Sequence, residues 1–281
     1  MNLPGPLVSA EWLAANHDEV RIVDVGWSID QGPHRDRFAK RHLPGAVFAD
    51  LDADLSGPPG PGGRHPLPTP EHFAQARTRL GMGSKPVVAY DDRGGPVAAR
   101  LWWMLDAVGH PVAVLDGGLA VWAGEMERGE PETAALEASP VLPVPWPSDR
   151  FVAVEDVMSA IDGGAVWLDA RSAERFAGRP NPIDGRPGHI PGSCSRPWTD
   201  NVDQEGRLLP ADRLRAELEA IGVGQGPLVA SCGSGVTGCH DLLAARVAGF
   251  ETGRLYVGSW SEWSQDPERP VAVSAEEGPD A

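Results

Sequence analysis

Cysteine is scarce in this sequence: the 281 residues include only Cys194, Cys232 and Cys239. An odd and sparse set of cysteines is unlike a disulfide framework, which needs pairs. The three positions also lack the paired spacing of a zinc site, and nothing else in the sequence predicts a metal or a cofactor. Free thiols are therefore expected, and each cysteine needs an explanation of its own.

Long apolar runs and clusters of basic residues are also missing. No stretch approaches the ~18 apolar residues of a membrane-spanning helix, and the N-terminus lacks the basic and apolar regions of a signal peptide. The net charge of −16 disfavours nucleic acid and anionic membranes as partners. A cytoplasmic protein is the simplest interpretation, and a small anionic substrate would need a local group of arginines.

Two halves of the chain contain similar segments in the same order. The first half has "RIVDVGWS", "RHLPGAVFADLDADL", "PVVAYDDRGGPVAARLWWMLDAVG" and "VAVLDGGLAVW"; the second has "AVWLDARS", "GHIPGSCSRPWTDNV", "PLVASCGSGVTGCHDLLAARVAGF" and "LYVGSWSEW". Asp91 lies 26 residues before Gly117, and Cys232 lies 26 residues before Gly258. This shared order and spacing predict a duplicated domain.

A segment rich in proline, alanine and glutamate, residues 128–150, separates the two halves. It predicts a linker and hence two domains, residues 1–140 and 141–281. In each half, short apolar runs such as "VVAY" and "LVAS" alternate with helix-like segments such as "HDLLAARVAGF". The pattern predicts an α/β fold in which each domain has a mainly parallel sheet with helices on both faces.

Cys232 begins a glycine-rich segment that lies between a predicted strand and a helix predicted from Gly238 onward. Glycines at 233, 235 and 238 permit positive φ, so several backbone N–H groups could turn toward one point. Together with the N-terminus of the helix, they would stabilise a thiolate and lower the pKa of Cys232. The alternative is a small, buried and inert cysteine in a tight turn.

Three reactions use a cysteine held in this way. A phosphatase of the Cys-X5-Arg type needs an arginine six residues after the cysteine, but Gly238 stands there. Thiol–disulfide exchange needs a nearby partner, but Cys239 is seven residues away. Sulfur transfer through a persulfide remains, in which the N–H groups hold the charge on the outer sulfur.

The sequence resembles the tandem-domain sulfurtransferases of the rhodanese family over nearly its whole length. The resemblance rests on "CGSGVTG", "RHLPGAVF", "GHIPGS", "LDGGLAVW", "YVGSWSEW" and "DARSAERF". It implies two similar domains of which only the C-terminal one carries a catalytic cysteine, and Asp91 stands at the position that corresponds to Cys232. The loop 232–237 is similar to that of the mercaptopyruvate enzymes, because Gly233 and Ser234 stand where thiosulfate-preferring relatives tend to carry basic residues.

The resemblance also implies which residues bind the donor. Arg175 corresponds to the family's substrate-binding arginine, and Arg186 lies near a second anion-binding position for which Arg179 competes. Ser234 would hydrogen-bond the thiolate or the donor, and Thr237 would cap the following helix; alternatively, both hydroxyls only satisfy backbone groups. The loop residues expected to contact the donor are Gly233, Gly235, Val236 and Thr237.

Other residues receive expectations from the same resemblance. Asp50 and His65 match positions near the cysteine across the domain interface, where an Asp–His pair would relay a proton. The alternatives are a loop carboxylate that caps a turn for Asp50 and a surface loop histidine for His65. His42 and His189, in the repeated "H-(L/I)-P-G" motif, are predicted to be structural. Cys239 is predicted to be a core cysteine, with a redox role as the alternative.

The leading hypothesis is a sulfurtransferase that moves a sulfane sulfur from 3-mercaptopyruvate, through a Cys232 persulfide, to a thiol or to cyanide. A thioredoxin-like protein is one candidate for the thiol. Thiosulfate as the donor is the first alternative, and a non-catalytic sulfur carrier for a protein partner is the second. The sequence leaves the physiological donor and acceptor and the oligomeric state open.

Overall fold

A computed structural model describes residues 2–129, 140–250 and 253–274 of the chain. These residues form two similar α/β units, which correspond to the two halves recognised in the sequence. Residues 130–139, within the predicted linker, lie outside the described part. The domain boundary between residues 140 and 141 stays a prediction.

The first unit has seven strands and five helices among its described residues. The strands are β1 (Leu7–Val8), β2 (Arg21–Asp24), β3 (Trp27–Ser28), β4 (Gly32–Pro33), β5 (Val47–Phe48), β6 (Val87–Tyr90) and β7 (Val112–Leu115). The helices are α1 (Ala10–Ala15), α2 (Arg35–Lys40), α3 (Leu51–Asp54), α4 (Pro70–Arg79) and α5 (Ala98–Ala107). Short 3₁₀ helices occupy His17–Glu19 and Gly118–Val121.

The second unit has four strands and five helices among its described residues. The strands are β8 (Val166–Asp169), β9 (Cys194–Ser195), β10 (Leu228–Ser231) and β11 (Arg254–Leu255), and the helices are α6 (Val157–Asp162), α7 (Ala173–Phe176), α8 (Ala211–Ala220), α9 (Gly238–Val247) and α10 (Ser259–Trp263). Short 3₁₀ helices occupy Ser148–Arg150, Val154–Asp156 and Trp198–Asn201. None of the described helices is long and apolar enough to cross a membrane, and the cytoplasmic location stays a prediction.

Each unit is built on a parallel sheet, as the sequence predicts. The strand order is β1-β7-β6-β2-β5 in the first unit and β11-β10-β8-β9 in the second, and the pairings described within these two sheets are all parallel. β3 and β4 form a separate antiparallel hairpin. The predicted apolar runs form β6, β7, β8 and β10, because valine and leucine suit strands that are buried on both faces.

Helices cover both faces of the sheets, which confirms the predicted fold class. In β6, Val87 and Ala89 belong to one apolar cluster, whereas Val88 and Tyr90 belong to another. Successive side chains of a strand point to opposite faces, so the two clusters lie on opposite sides of the sheet. The second unit repeats this arrangement around Trp167, which packs in a third cluster.

The two units meet where α5 packs against α9. α5 buries nine of its ten residues and α9 buries eight of ten, so both are core helices rather than surface helices. The start of each helix contacts the loop of the other unit. His240 donates to the Gly94 carbonyl at 2.8 Å, and Arg100 donates to the Gly235 carbonyl at 3.0 Å.

Candidate active site

Cys232 lies where the sequence predicts it, directly after β10 and at the start of the loop that leads into α9. Of the three glycines at 233, 235 and 238, only Gly235 has a positive φ, at 75°. A Cβ atom at Gly235 would also lie 2.2 Å from the Val257 carbonyl oxygen. Glycine is therefore required at this position by both the backbone conformation and the close approach of another chain segment.

Backbone N–H groups of the loop point at the Cys232 sulfur. Sγ accepts hydrogen bonds from Gly235 N–H at 3.1 Å and from Ser234 N–H at 3.4 Å. Burial alone would raise the pKa of this thiol, but hydrogen bonds from the Thr237 hydroxyl and from the Ser234 and Gly238 N–H groups outweigh it, so the pKa lies below its ordinary value. Within the described structure the Thr237 side chain does not cap α9, contrary to expectation. Its hydroxyl donates a hydrogen bond to the Cys232 sulfur instead.

The first turn of α10 holds the loop by its carbonyl groups. The N–H groups of Trp260 and Ser261 donate to the carbonyl oxygens of Cys232 and Gly233, each at 2.9 Å, and Ser259 Oγ accepts from Cys232 N–H at 3.0 Å. Ser259 adopts φ 52°, which costs about 1–3 kcal/mol for a residue with a side chain. These hydrogen bonds turn the carbonyl groups of Cys232 and Gly233 toward α10, and the N–H groups of the loop point toward the sulfur.

The corresponding loop of the first unit is filled by its own carboxylate. Asp91 Oδ1 accepts from the N–H groups of Arg93 and Gly95 at 3.2 and 3.0 Å, and Oδ2 accepts from Val97 and Ala98 at 2.9 and 3.1 Å. Burial raises the pKa of Asp91 to about 6, although the N–H donors oppose this shift. Both units therefore contain an anion-holding loop, and in the first unit a side chain occupies it.

Replacing Asp91 with asparagine is expected to lower the free energy of unfolding by about 2–6 kcal/mol. The amide NH₂ cannot accept hydrogen bonds, so two of the four N–H groups, of which at least one is buried, lose their acceptor, at about 1–3 kcal/mol each. Urea unfolding followed by tryptophan fluorescence measures the change. Asp36→Asn, the same substitution at an exposed position, is the control and should change stability by less than about 0.5 kcal/mol. An Asp91→Asn effect as small as the control's would contradict this description of the loop.

A cavity of about 320 Å³ opens beside Cys232, and both units line it. This volume is near the lower end of the ~300–1,000 Å³ of small-molecule sites. The first unit contributes Trp27, Ile29 and Arg64, and the second contributes Arg175 and Trp198. The loop residues predicted to contact the donor all line it except Gly235, whose N–H binds the sulfur; those on the lining are Gly233, Ser234, Val236 and Thr237.

Two guanidinium groups converge in this cavity. A Cβ atom at Gly233 would lie 2.8 Å from a terminal nitrogen of Arg64 and 2.8 Å from one of Arg175. Glycine at 233 therefore leaves room for both groups beside Cys232. Arg175 lies where the sequence predicts a donor-binding arginine, whereas Arg64, from the first unit, is not predicted by the sequence.

The charges of the two arginines are compensated differently. Arg175 Nε and Nη2 donate to both oxygens of Asp184, at 2.9 and 2.7 Å. Burial would raise the pKa of Asp184, but the hydrogen bond and charge of Arg175 outweigh it, so the pKa lies below its ordinary value and the carboxylate stays ionised. Arg64 Nη1 donates to the Ile183 carbonyl at 3.2 Å, and no carboxylate of the described residues lies within 4 Å of it.

The structure corrects the expectation for Arg186. Its two Nη atoms donate to the backbone carbonyls of Asp266 and Arg269, at 2.9 and 3.2 Å, which holds the guanidinium against the C-terminal segment. The competing candidate, Arg179, lines a separate depression of about 940 Å³ beside α7. The second arginine of the Cys232 cavity is Arg64 instead.

A chain of polar side chains leads from the Cys232 loop into the first unit. His65 Nδ1 lies 2.8 Å from Ser234 Oγ, and His65 Nε2 lies 3.1 Å from Asp52 Oδ1. Burial lowers the pKa of His65 to about 4, against the opposing effect of Asp52, so the ring is neutral near pH 7. Because Nε2 faces a carboxylate, the ring proton is assigned to Nε2, and Nδ1 accepts a hydrogen bond from the Ser234 hydroxyl. Trp27 Nε1 donates to Asp52 Oδ2 at 3.1 Å and holds the carboxylate in place.

Asp50 is not the partner of His65, contrary to the expectation from the sequence. Its side chain caps α3, where Oδ1 accepts from the N–H groups of Asp52 and Ala53 at 3.0 and 3.1 Å. These contacts match the alternative expectation, a carboxylate that caps a turn. Asp52 contacts His65 in place of Asp50. The cap itself places Asp52 in the first turn of α3.

The remaining candidates have partners in the core. His42 stacks on Phe38 and donates to its carbonyl at 2.8 Å, and His189 does the same with Phe176. The same contact in both units fits a structural role. Burial raises the pKa of Cys239 to about 12, so this thiol stays protonated, which favours the core interpretation over a redox partner.

Sequence reasoning misses three residues at this site: Arg64, Asp52 and Asp184. The available signals are their positions beside predicted ones, since Arg64 precedes His65 directly and Asp52 follows Asp50 by two residues. Asp184 is the only aspartate between Arg171 and Arg186. The sequence alone does not show which of two neighbouring residues faces the site, because a shift of one position changes the direction in which a loop side chain points.

A family model of the rhodanese-like domain matches this chain twice, over residues 9–125 and 153–266. A Pseudomonas aeruginosa protein named "Probable 3-mercaptopyruvate sulfurtransferase" is 41% identical over 280 aligned positions, covering 95% of this chain and 98% of the relative. "Thiosulfate/3-mercaptopyruvate sulfurtransferase 2" of Arabidopsis thaliana is 33% identical over 300 positions, covering 96% and 87%. The crystal structure of SseA from Escherichia coli, described as a 3-mercaptopyruvate sulfotransferase, has a TM-score of 0.79 and 35% identity, and the match covers 92% of this chain and 100% of that one. The chain therefore belongs to the rhodanese family, as a sulfurtransferase with two rhodanese-like domains in tandem.

Proposed function

We propose that this enzyme moves a sulfane sulfur from 3-mercaptopyruvate to a thiol or to cyanide through a persulfide on Cys232. The observation that carries the proposal is the position of the Cys232 sulfur, which accepts from backbone N–H groups beside a cavity that holds two arginines. Such N–H groups stabilise negative sulfur. They would serve the thiolate before transfer and the outer sulfur of the persulfide after it.

The donor's carboxylate would bind to Arg64 and Arg175. Their charges of +1 each, less the −1 of Asp184, leave one net positive charge on these three side chains, beside the Cys232 thiolate. That balance suits a monocarboxylate such as 3-mercaptopyruvate. Binding at these two groups places the rest of a small donor against Gly233 and the neighbouring sulfur.

In the first half-reaction the Cys232 thiolate attacks the sulfur of the donor. The bond between that sulfur and C3 breaks, and its electron pair stays on C3 as the enolate of pyruvate. The donor's thiol proton moves to C3, so pyruvate leaves and the negative charge ends on the outer sulfur of the persulfide. Ser234 and His65 form a relay for this proton, since the neutral ring accepts it through the hydroxyl and returns it.

In the second half-reaction the acceptor, a thiolate or cyanide, attacks the outer sulfur. The S–S bond breaks, and its electron pair returns to Cys232 as a thiolate. Ile29 stands at the mouth of the cavity and is 52% exposed, so an acceptor can approach over an apolar edge. A thioredoxin-like protein that presents its thiol on an exposed apolar surface is a suitable acceptor.

Thiosulfate is the alternative donor, and its sulfonate would bind the same two arginines. It carries two negative charges, which one net positive charge compensates less well than the single charge of 3-mercaptopyruvate. A sulfur carrier, the other alternative, would load Cys232 but turn over poorly with small acceptors.

Steady-state kinetics of the wild-type enzyme test the donor. With cyanide as the acceptor, kcat/KM for 3-mercaptopyruvate is expected to exceed that for thiosulfate by about tenfold or more, because this ratio reports differential binding of the two transition states. The reverse ratio would reassign the donor to thiosulfate. Uptake of one sulfur without multiple turnovers on either donor would identify a carrier instead.

A further inference from the structure

Arg100, in α5, is a buried cation that takes no part in the two half-reactions. The residue is 0% exposed, and no carboxylate of the described residues lies within 4 Å of its guanidinium. Its Nε atom has no hydrogen-bond partner in the described structure. A buried charge without a counter-ion is costly, so a folded protein normally pairs it or keeps it at the surface.

The guanidinium of Arg100 instead joins three backbone carbonyls from both units. Nη1 donates to Gly235 in the Cys232 loop at 3.0 Å, and Nη2 donates to His65 at 3.2 Å and to Leu55 at 3.4 Å. Gly235 is the residue whose N–H binds the Cys232 sulfur, and His65 binds Ser234. One side chain therefore connects the loop that holds the sulfur with the segment that carries the polar relay.

Two cysteine sulfurs are the negative or potentially negative groups that interact with Arg100 electrostatically. Cys239 is beside it, but burial raises the pKa of that thiol to about 12, so Cys239 is neutral near pH 7. Cys232 is the other, and its thiol has a lowered pKa. A thiolate formed on Cys232 is therefore the negative charge that Arg100 could compensate.

We propose that Arg100 is a positioning residue for sulfur transfer: its buried charge stabilises negative sulfur on Cys232, and its hydrogen bonds hold the Cys232 loop in register with His65. The proposal rests on the proposed function of Cys232 as the sulfur-carrying residue. The titratable and charged groups around the sulfur are Asp169 of β8, Arg64 before α4, Arg100 of α5, Arg175 of α7, and Cys239 and Asp241 of α9, with His65 beyond Ser234.

Among these groups, Arg100 is the cation that neither pairs with a described carboxylate nor faces the donor. Asp169 pairs with Arg171 at 2.8 Å, and Arg175 pairs with Asp184 at 2.7 Å. Arg64 lies at the cavity, where the donor's carboxylate would take up its charge. Burial raises the pKa of Asp241 well above its ordinary value, which disfavours a negative charge on this carboxyl.

The pH dependence of Cys232 alkylation by iodoacetamide, followed on the Cys232 peptide by mass spectrometry, tests the charge. In Arg100→Gln the midpoint should rise by about one pH unit or more, so alkylation at pH values below the wild-type midpoint slows about tenfold while the high-pH plateau stays within about twofold of wild type. In Arg100→Lys the charge remains and the midpoint should stay near wild type. An ammonium cannot hold three carbonyls in the same geometry, so kcat/KM for the donor should fall about fivefold or more.

Arg150→Gln is the matched control, because Arg150 also joins the two units but pairs with Asp106. It should leave the alkylation midpoint unchanged. An unchanged midpoint in Arg100→Gln, even with a lower melting temperature, would make Arg100 a structural residue and overturn the proposal. If Arg100→Gln does not fold, Arg100→Lys tests the proposal. A wild-type kcat/KM or a raised alkylation midpoint in Arg100→Lys would each contradict the proposal. Alkylation needs no donor, so failure of wild type to take up sulfur would instead defeat the proposed function.

Discussion

Replacing Cys232 with serine is expected to abolish sulfur transfer and to lower kcat/KM by about 10³-fold or more. Serine is similar in size and keeps the surrounding N–H donors, but its hydroxyl does not ionise near neutral pH and cannot form a persulfide. Turnover with 3-mercaptopyruvate and cyanide measures the rate. The intact mass after incubation with donor alone measures the intermediate: wild type should gain the mass of one sulfur atom, and the variant should gain none.

The other two cysteines provide matched controls for this experiment. Cys194→Ser changes a half-buried thiol at the start of β9, and Cys239→Ser changes a buried thiol in α9. Both variants should still take up one sulfur. Sulfur uptake by Cys232→Ser, or its loss in Cys194→Ser, would show that the persulfide forms on a different residue.

Replacing Arg64 with methionine is expected to lower kcat/KM for 3-mercaptopyruvate by about 10–100-fold, because a charge-assisted hydrogen bond to a carboxylate contributes about 1.5–3 kcal/mol. Most of the change should appear in KM, since the carboxylate is bound equally in the ground state and in the transition state. Without Arg64 the donor-binding side chains carry no net positive charge, because Asp184 neutralises Arg175. Initial rates over a range of donor concentrations separate KM from kcat.

Arg186→Met is the control for this variant, since that guanidinium binds carbonyls of the C-terminal segment. Its KM should stay within about twofold of wild type, the margin of a substitution away from the site. Arg175→Met is less informative, because it leaves the buried Asp184 carboxylate with fewer partners and disturbs the cavity as well as the charge. Equal KM values for wild type and Arg64→Met would remove Arg64 from the donor site.

The fold was predictable because its signals are local. Runs such as "VVAY" and "LVAS" form β6 and β10 with the predicted bounds, since β-branched and apolar residues suit strands that are covered on both faces. The duplicated spacing placed Asp91 and Cys232 at equivalent positions, and the structure shows N–H groups around both side chains. These features depend on residues close together in the chain, so a single sequence contains them.

The errors concern contacts between distant segments. Asp50 and Asp52 are both carboxylates of the same segment, and only the cap of α3 determines that Asp52 meets His65. Arg186 and Arg64 are both arginines near glycine and proline, and only the docking of the first unit brings Arg64 to Gly233. Composition cannot separate such pairs, because the direction of a loop side chain follows from backbone geometry and from what packs against it.

The sequence by itself determined a duplicated α/β chain, the loop that surrounds Cys232, and a first unit whose loop has a carboxylate in place of a thiol. Only the tertiary structure decided that Arg64, rather than Arg186, reaches the cavity and that Asp52, rather than Asp50, contacts His65. The physical reason is that a strand or a glycine-rich turn is specified by neighbouring residues, whereas the cavity is formed by side chains that are far apart in the chain. Arg64, His65 and Arg100 belong to the first unit, and only the packing of α5 against α9 brings them to Cys232.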